Sequence, residues 1–569
     1  MTTRFVHSLI KLTLLFLPMA GLQAQSVYVP LNHWAYQFIE RFEAKGVITG
    51  ALNSTRPYSR AEMVEYLVQI QDNVHQGYRL NAVEEQQLQF LRFEFGEEFK
   101  HKTGRNGVDG QSRIARLKQS KVFGKIFPGF LYKNNRNLFE VNSEGFKAFI
   151  DPVFYQQWLY ATPDTVSGTE KVFERTHGLT LRGQLGTHLG FFFDFRDTKQ
   201  WGTRTYPDRF DISLEGLGFV NGYGTHIWHD ETNAYLVFKL PYLQLVLGKG
   251  VNTWGPGFNG ALGLSDNATS FDQIKLQTKL WRLKFTYLWG FLRTFPRIAQ
   301  ADGTTNPKSI VAHRLEIDVA KWLDVGLYEM VVFGDRRFEF AYINPINFYR
   351  SAEHFVSDDD NASIGFDFEL LLIPNVKLYG ELFIDDLTTS KIGSGFHGNK
   401  TGVLAGGLWA DAFQVDNLDL RVEYARTRPY LYTHRKAINT YSHFNTGLGH
   451  WLGPNADNLF ARVQYRFSKS FFIAATFQST RHGDNPPDKN TGGDLTRPVE
   501  DGGQLSVSFL EGIRESRQSV SFEARYELFR NLYLGVNYDK DFSDNILLPA
   551  GARGPVDRGE FFLNVGLNR

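Results

Sequence analysis

There is no cysteine among the 569 residues, which excludes thiolate nucleophiles, cysteine-based zinc sites and disulfide staples. Charge of one sign is also missing. With 62 basic residues against 61 acidic ones the formal charge is +1, so no bulk field favours nucleic acid as a partner. No apolar run reaches the ~20 residues a membrane-crossing helix needs. The longest, in LTLLFLPMAG, follows Arg4 and Lys11 and precedes Leu22-Gln23-Ala24. That pattern reads as a cleaved export signal over residues 1–24, with the mature chain starting at Gln25. With no cysteine after it, the chain has no lipoprotein-type anchor site. The common hydrolase templates are absent too: there is no GxSxG elbow, P-loop or HExxH. Gly393-x-Gly395-x-x-Gly398 has the dinucleotide spacing, but it follows no buried parallel strand and opens no helix, so it reads as loop. Any membrane association must be made by strands, and neither a cofactor nor an enzymatic role is expected.

Two kinds of periodicity are present. Residues 25–115 have the helical one. Asn32 can cap a helix carrying Trp34, Phe38, Ile39 and Phe42, ending near Lys45-Gly46. Ser59…Glu62 is a capping box opening a second helix with Met63, Leu67 and Ile70, and Asn81…Glu84 repeats the device before Leu88, Leu91 and Phe95. From residue 120 to 569 the period is two. Lys279–Leu292 sets Trp281, Leu283, Phe285, Tyr287, Trp289 and Phe291 against Arg282, Lys284 and Thr286. Ile364–Leu372, Leu418–Tyr424, Ala461–Phe467 and Val520–Leu528 alternate likewise, with Asp367, Glu369, Arg462, Arg466 and Glu523 on the polar face. An aromatic face opposite a charged one is the signature of an all-β transmembrane barrel with a wet interior, where a soluble sandwich would bury its apolar faces against each other. Tight links at Pro374-Asn375, Lys469-Ser470 and Arg530-Asn531 alternate with long polar stretches such as Ser479–Gln504. That asymmetry belongs to the outer membrane, and at ~25 residues per strand the region makes about 18 antiparallel strands. Trp281 and Trp289 are expected in the aromatic girdle or against lipid.

Binding residues are sought where aromatics fall inside polar loops. NTWGPGFNGALGLSDNATSFD, residues 252–272, has neither period. Trp254, Tyr430, Tyr432, Tyr441 and Trp451 could stack on sugar faces while Asp266, Asn267, Arg350, Asp360, His443 and His450 bond hydroxyls. The alternative is that the same residues cement the loops into a plug. No metal is expected: Asp358-Asp359-Asp360-Asn361 lacks EF-hand spacing, and His434, His443 and His450 match no zinc template.

Two resemblances refine this reading. Val29–Gln69, with His33-Trp34-Ala35, Gly46-Val47-Ile48-Thr49-Gly50 and Arg60-Ala61-Glu62, resembles a single S-layer homology module. That implies peptidoglycan or another wall polymer as a partner of residues 29–70, with a periplasmic structural bundle as the alternative. The larger resemblance is to the Wzi-type capsule assembly family. It rests on Trp254-Gly255-Pro256-Gly257…Leu264-Ser265-Asp266-Asn267-Ala268, then Asn344-Pro345-Ile346-Asn347-Phe348-Tyr349-Arg350 with Glu353, Asp360-Asn361 and Leu378–Asp386, and last Tyr441-Ser442-His443…Gly449-His450…Gly453-Pro454-Asn455-Ala456. It implies an outer-membrane barrel occluded by helices and loops, in contact with outer-membrane lipid. Such a barrel acts as a lectin holding capsular or exported polysaccharide at the cell surface. A wall-tethered porin forming a passive channel is the competing expectation, since the charged inner faces would suit water.

Overall fold

The computed structural model describes residues 27–104, 131–162, 169–212, 217, 220–294, 306–356, 359–444, 446–500, 502–547 and 552–568. The expected export signal lies outside them. Eighteen antiparallel strands form a closed ring. They follow one another in chain order from Phe146–Thr162 to Arg553–Leu567. The seam joins those two, with Gly559 opposite Thr162 and Leu567 opposite Phe154. A short strand, Phe139–Ser143, pairs with the start of the first ring strand.

Alternation places the side chains as the charged pattern requires. In Asn361–Ile373, Asp367 and Glu369 are buried inward while Phe366 is exposed outward. The Lys279–Leu292 reading needs correction. That stretch is not one strand but the end of Phe271–Leu280, a turn at Trp281-Arg282, and Leu283–Leu292. Trp281 sits in the turn with φ 57° and is 84% exposed. Similar tight turns at Pro374-Asn375, Lys469-Ser470 and Arg530-Asn531 mark the same end of the barrel. The opposite end carries the long connections 387–399, 428–455 and 485–512. Short turns face the periplasm and long loops the outside in such barrels.

The N-terminal residues form four helices: α1 (Ala35–Ala44), α2 (Arg60–His75), α3 (Ala82–Glu94) and α4 (Gly96–Thr103). Both capping boxes are formed. Ser59 Oγ accepts from the Glu62 N–H at 3.1 Å and the Glu62 carboxylate from the Ser59 N–H at 2.9 Å; Asn81 and Glu84 do the same. The first helix differs from expectation, since its N-cap is Trp34, not Asn32, and no side chain caps it. Phe38, Phe42, Met63, Leu67, Ile70, Leu91 and Phe95 make the core of this bundle.

The bundle closes the periplasmic mouth, held to the inner wall by ion pairs. Glu40 meets Arg421 at 2.6 Å, Glu43 meets Lys377 at 2.7 Å, Glu62 meets Lys284 at 3.3 Å, and Glu94 meets Arg530 at 2.5 Å. Arg41 pairs with Asp411 and Asp419. Arg314, wholly buried, donates to Thr55 Oγ1 at 2.8 Å and to both oxygens of Asp367 at 2.6 and 2.9 Å. Such pairs add little net stability over apolar packing, but loss of one partner costs about 3–5 kcal/mol because a buried charge is left bare. They therefore fix where the bundle sits.

Candidate functional site

The stretch 252–272 is the second half of the plug. Thr253–Trp254 pairs antiparallel with Thr55–Arg56 of the bundle, and the Gly255 N–H donates to Ser54 O at 2.8 Å. Two lumenal carboxylates then grip the irregular backbone. Glu381 accepts from the N–H groups of Leu262 and Gly263 at 2.8 and 2.9 Å and from the Tyr328 hydroxyl at 2.6 Å. Glu423 accepts from those of Phe258 and Asn259 at 2.8 and 3.1 Å. Gly255 needs to be glycine: its φ is 133°, and a Cβ there would stand 2.6 Å from Glu381 Oε2. From the outer side, Tyr432 and Tyr441 hydroxyls donate to the carbonyls of Leu262 and Gly263 at 2.8 and 2.7 Å. Trp254, Leu262, Leu264, Tyr432, Tyr441 and Leu448 belong to one buried apolar cluster inside the lumen.

Above this plug, at the extracellular rim, a cleft of about 210 Å³ is bounded by charged groups from four connections. Arg350 and Glu353 come from a helix α5 (Tyr349–Phe355), and Asp385, Asp386, His397 and Lys400 from strand ends around residues 387–399. His434 and Arg435 enter from the loop after residue 428, and Glu500 from the last long loop. Arg350 pairs with Glu353 at 2.6 Å, and Lys400 Nζ donates to Thr433 O at 2.9 Å. Burial, reinforced by the Lys400 ammonium, holds the imidazoles of His397 and His434 below their usual range, His434 down to about 4. At neutral pH both rings are uncharged, each with one donor and one acceptor nitrogen. The cleft thus offers cations, carboxylates and neutral imidazoles side by side, a donor set suited to hydroxyl-rich ligands.

The expected site residues divide between plug and cleft. Arg350 and Asp360 line the cleft; Asp360 also accepts from Tyr342 Oη at 2.7 Å and pairs with Arg336. Trp254, Tyr441, His443 and His450 are buried inside the plug. They offer no ring face to a sugar, because the apolar lumen packs their rings. His443 Nδ1 accepts from the Arg293 N–H at 2.9 Å and His450 Nδ1 from the Leu452 N–H at 3.3 Å, while Trp254 Nε1 and His450 Nε2 are buried with no hydrogen-bond partner among the described residues. Asp266 is exposed, and Asn267 donates to Gly447 O at 2.9 Å; neither borders the cleft. Lys400, His397 and Glu500 carry no signal in the sequence as site residues; Asp386 is there only as the end of the Leu378–Asp386 motif, and the Gly393–Gly398 segment only as loop.

One acidic trio has carboxylates close enough to share a cation. Oxygens of Glu43, Asp324 and Glu369 lie within 4.8 Å of one another. Lys377 Nζ already stands 2.7 Å from Glu43 and 2.9 Å from Glu369, so the lysine supplies the cation there. Of the acidic loop, Asp359 pairs with Arg435 and Lys436 at 2.8 and 2.9 Å, while Asp358 lies outside the described residues.

A ring of eighteen strands, closed by a helical bundle below and by its own loops within, defines a plugged outer-membrane β-barrel. A family model described as "Capsule assembly protein Wzi" matches residues 229–551. The chain belongs to that family, and its place is the outer membrane. Among solved structures it is similar to Escherichia coli Wzi, described as a carbohydrate-binding β-barrel involved in group 1 capsule assembly. The identity is 13%, covering 96% of this chain and all of that one, with a TM-score of 0.54. It is also similar to OprD of Pseudomonas aeruginosa, at 11% identity over 74% of this chain and 92% of that one, TM-score 0.41. No curated protein matches.

Proposed function

We propose that this protein binds exported capsular polysaccharide at the cell surface and holds it there without chemical turnover, the extracellular cleft being the contact. The observation that carries the reading is the convergence of Arg350, Asp386, Lys400, His434 and Glu500 from separate connections onto one rim cleft. Family membership and the carbohydrate-binding description of the E. coli relative support it. Against a passive channel stands the double plug: the bundle blocks the periplasmic mouth, and residues 252–272 with Leu431, Tyr432, Tyr441, Leu448 and Leu452 fill the lumen above it.

The test is a pull-down of capsular polysaccharide on the purified barrel, beside Arg350→Ala and Lys400→Ala. Each substitution is expected to weaken retention about tenfold, as loss of one charged hydrogen-bonding group implies. Polysaccharide recovered after long incubation should keep its chain length. Equal retention by both variants, or steady open conductance of the wild type in planar bilayers, would overturn the proposal.

A further inference from the structure

Apart from Arg350 and Glu353, which reach the rim cleft, residues 338–355 do not stay at the extracellular rim. They leave the strand Leu323–Gly334 and fold down over the outside of the barrel. The direction follows from alternation. Arg314, Tyr328 and Asp367 face the lumen, so His313, Glu329 and Ile364, offset by one, face outward. His313 and Glu329 are register partners with Nε2 and Oε2 3.1 Å apart, an ionisable pair on the wall's lipid side near mid-strand. The segment covers that pair. The Tyr349 ring lies 4.3 Å from that of His313, and the Tyr349 N–H donates to Glu329 Oε2 at 3.0 Å. Tyr342, Tyr349 and Ala352 pack on Tyr287, Trp289, Val311, Val331 and Phe333, burying Tyr287 and Trp289 beneath a second layer.

The outer side of this layer carries large apolar side chains, with Asn344, Ser351 and His354 exposed among them. Phe340 is 81% exposed, Ile346 86% and Phe355 89%, with Phe338, Ile343 and Phe348 also exposed. The bare wall beside it shows Leu327 at 50% and Phe366 at 42%. A contiguous apolar patch of this kind is unfavourable in water, at roughly 25 cal/mol per Å². Its backbone is also arranged for a medium that offers no hydrogen bonds. The Ile346 N–H donates to Asn344 Oδ1 at 3.1 Å, that of Asn347 to Asn344 O at 3.2 Å, and Asn347 Nδ2 to Ala341 O at 3.1 Å. Arg350 and Glu353, on the same short helix, belong instead to the cleft.

We infer that residues 338–355 form a strap embedded in the outer leaflet, a second lipid-facing layer whose partner is acyl chain. The strap continues the apolar surface of the barrel wall and shields the His313–Glu329 pair from hydrocarbon.

The absence of cysteine makes the test direct. Single nitroxide labels go on Phe340→Cys, Ile346→Cys and Phe355→Cys in liposome-reconstituted protein. Leu327→Cys serves as the lipid-facing reference and Ser394→Cys, in an exposed loop, as the aqueous one. Collision with oxygen should exceed collision with a water-soluble nickel chelate several-fold at all three strap sites, as at 327. Chelate access like that at 394 would place the strap in water and overturn the inference. So would labels immobilised and shielded from both reagents, which would mean that another protein copy covers the face. These exposed side chains support no core, so the substitutions leave folding intact.

Discussion

Replacing Glu381 by alanine should free the lumenal loop while leaving the barrel closed. The carboxylate is the acceptor for the Leu262 and Gly263 N–H groups, at 2.8 and 2.9 Å, and for the Tyr328 hydroxyl. A hydrogen bond to a charged group contributes roughly 1.5–3 kcal/mol, so the two backbone bonds together hold the loop by about 3–6 kcal/mol. At about 1.4 kcal/mol per tenfold, local opening should become roughly a hundredfold to ten-thousandfold more frequent. Hydrogen exchange on peptides covering 252–272 reads this directly, with peptides from α2 as an internal standard that should not change. Glu381→Gln keeps the shape and one acceptor oxygen but strands one N–H, so about half the free-energy change is expected. Unchanged protection of Leu262 and Gly263 in the alanine variant would refute the claim that this carboxylate anchors the loop.

Acidification should loosen the same plug from its outer side. Burial lowers the imidazoles of both His443 and His450 to about 3, against about 6.5 when unfolded. Their contribution is complete above pH 6.5 and declines as pH falls from there toward 3, by about 1.4 kcal/mol per pH unit for each ring. Exchange of residues 446–455 should therefore speed up between pH 7 and pH 4.5, and His443→Gln with His450→Gln should flatten the profile. Arg314→Ala leaves Asp367 buried without its bidentate cation, so docking of the bundle should weaken by about 3–5 kcal/mol. Trypsin cutting within residues 27–104 of the folded barrel measures that loss. Resistance equal to wild type would mean that other pairs suffice to hold the bundle.

The wall was legible in the sequence because each strand has one charged face and one apolar face. Ile364–Leu372 lies within the strand Asn361–Ile373, and Val520–Leu528 within Ile513–Phe529. Where that alternation misled, the reason is local. Across the turn at Trp281-Arg282, Leu280 and Leu283 face each other and point the same way. Trp281 happens to fit the apolar parity of the second strand, so the turn looks like continued strand. Tyr287 and Trp289 carry the same lipid-face pattern as any girdle residue, yet residues more than fifty positions later cover them. Period-two patterning reports which side of the wall a residue takes, not what lies on that side.

The candidate site was less legible for the same physical reason. Arg350 and Asp360 could be named, but Asp386, His397, Lys400, His434 and Glu500 join them from strand ends and loops farther along the chain, and period two does not say which of these meet at the rim. Trp254 looked like a sugar platform because an aromatic in a glycine-rich loop has no local signal of burial. Leu264 of the same loop bridges it locally, and only the closure of the ring sets its ring beside that of Tyr328.

The ribbon between Thr55–Arg56 and Thr253–Trp254 bears on the order of assembly. Arg56 Nη2 donates to Gly255 O across 199 positions of chain, and Arg530 reaches Glu94 across 436. Contacts so remote in sequence are late and slow to form. The bundle that makes them is wrapped on every side by a ring whose seam is its first and last strands. It meets residues 252–272 from the periplasmic side, so its docking and the pairing of Arg553–Leu567 with Phe146–Thr162 are the two long-range events that complete the molecule, one filling the cylinder and the other closing it.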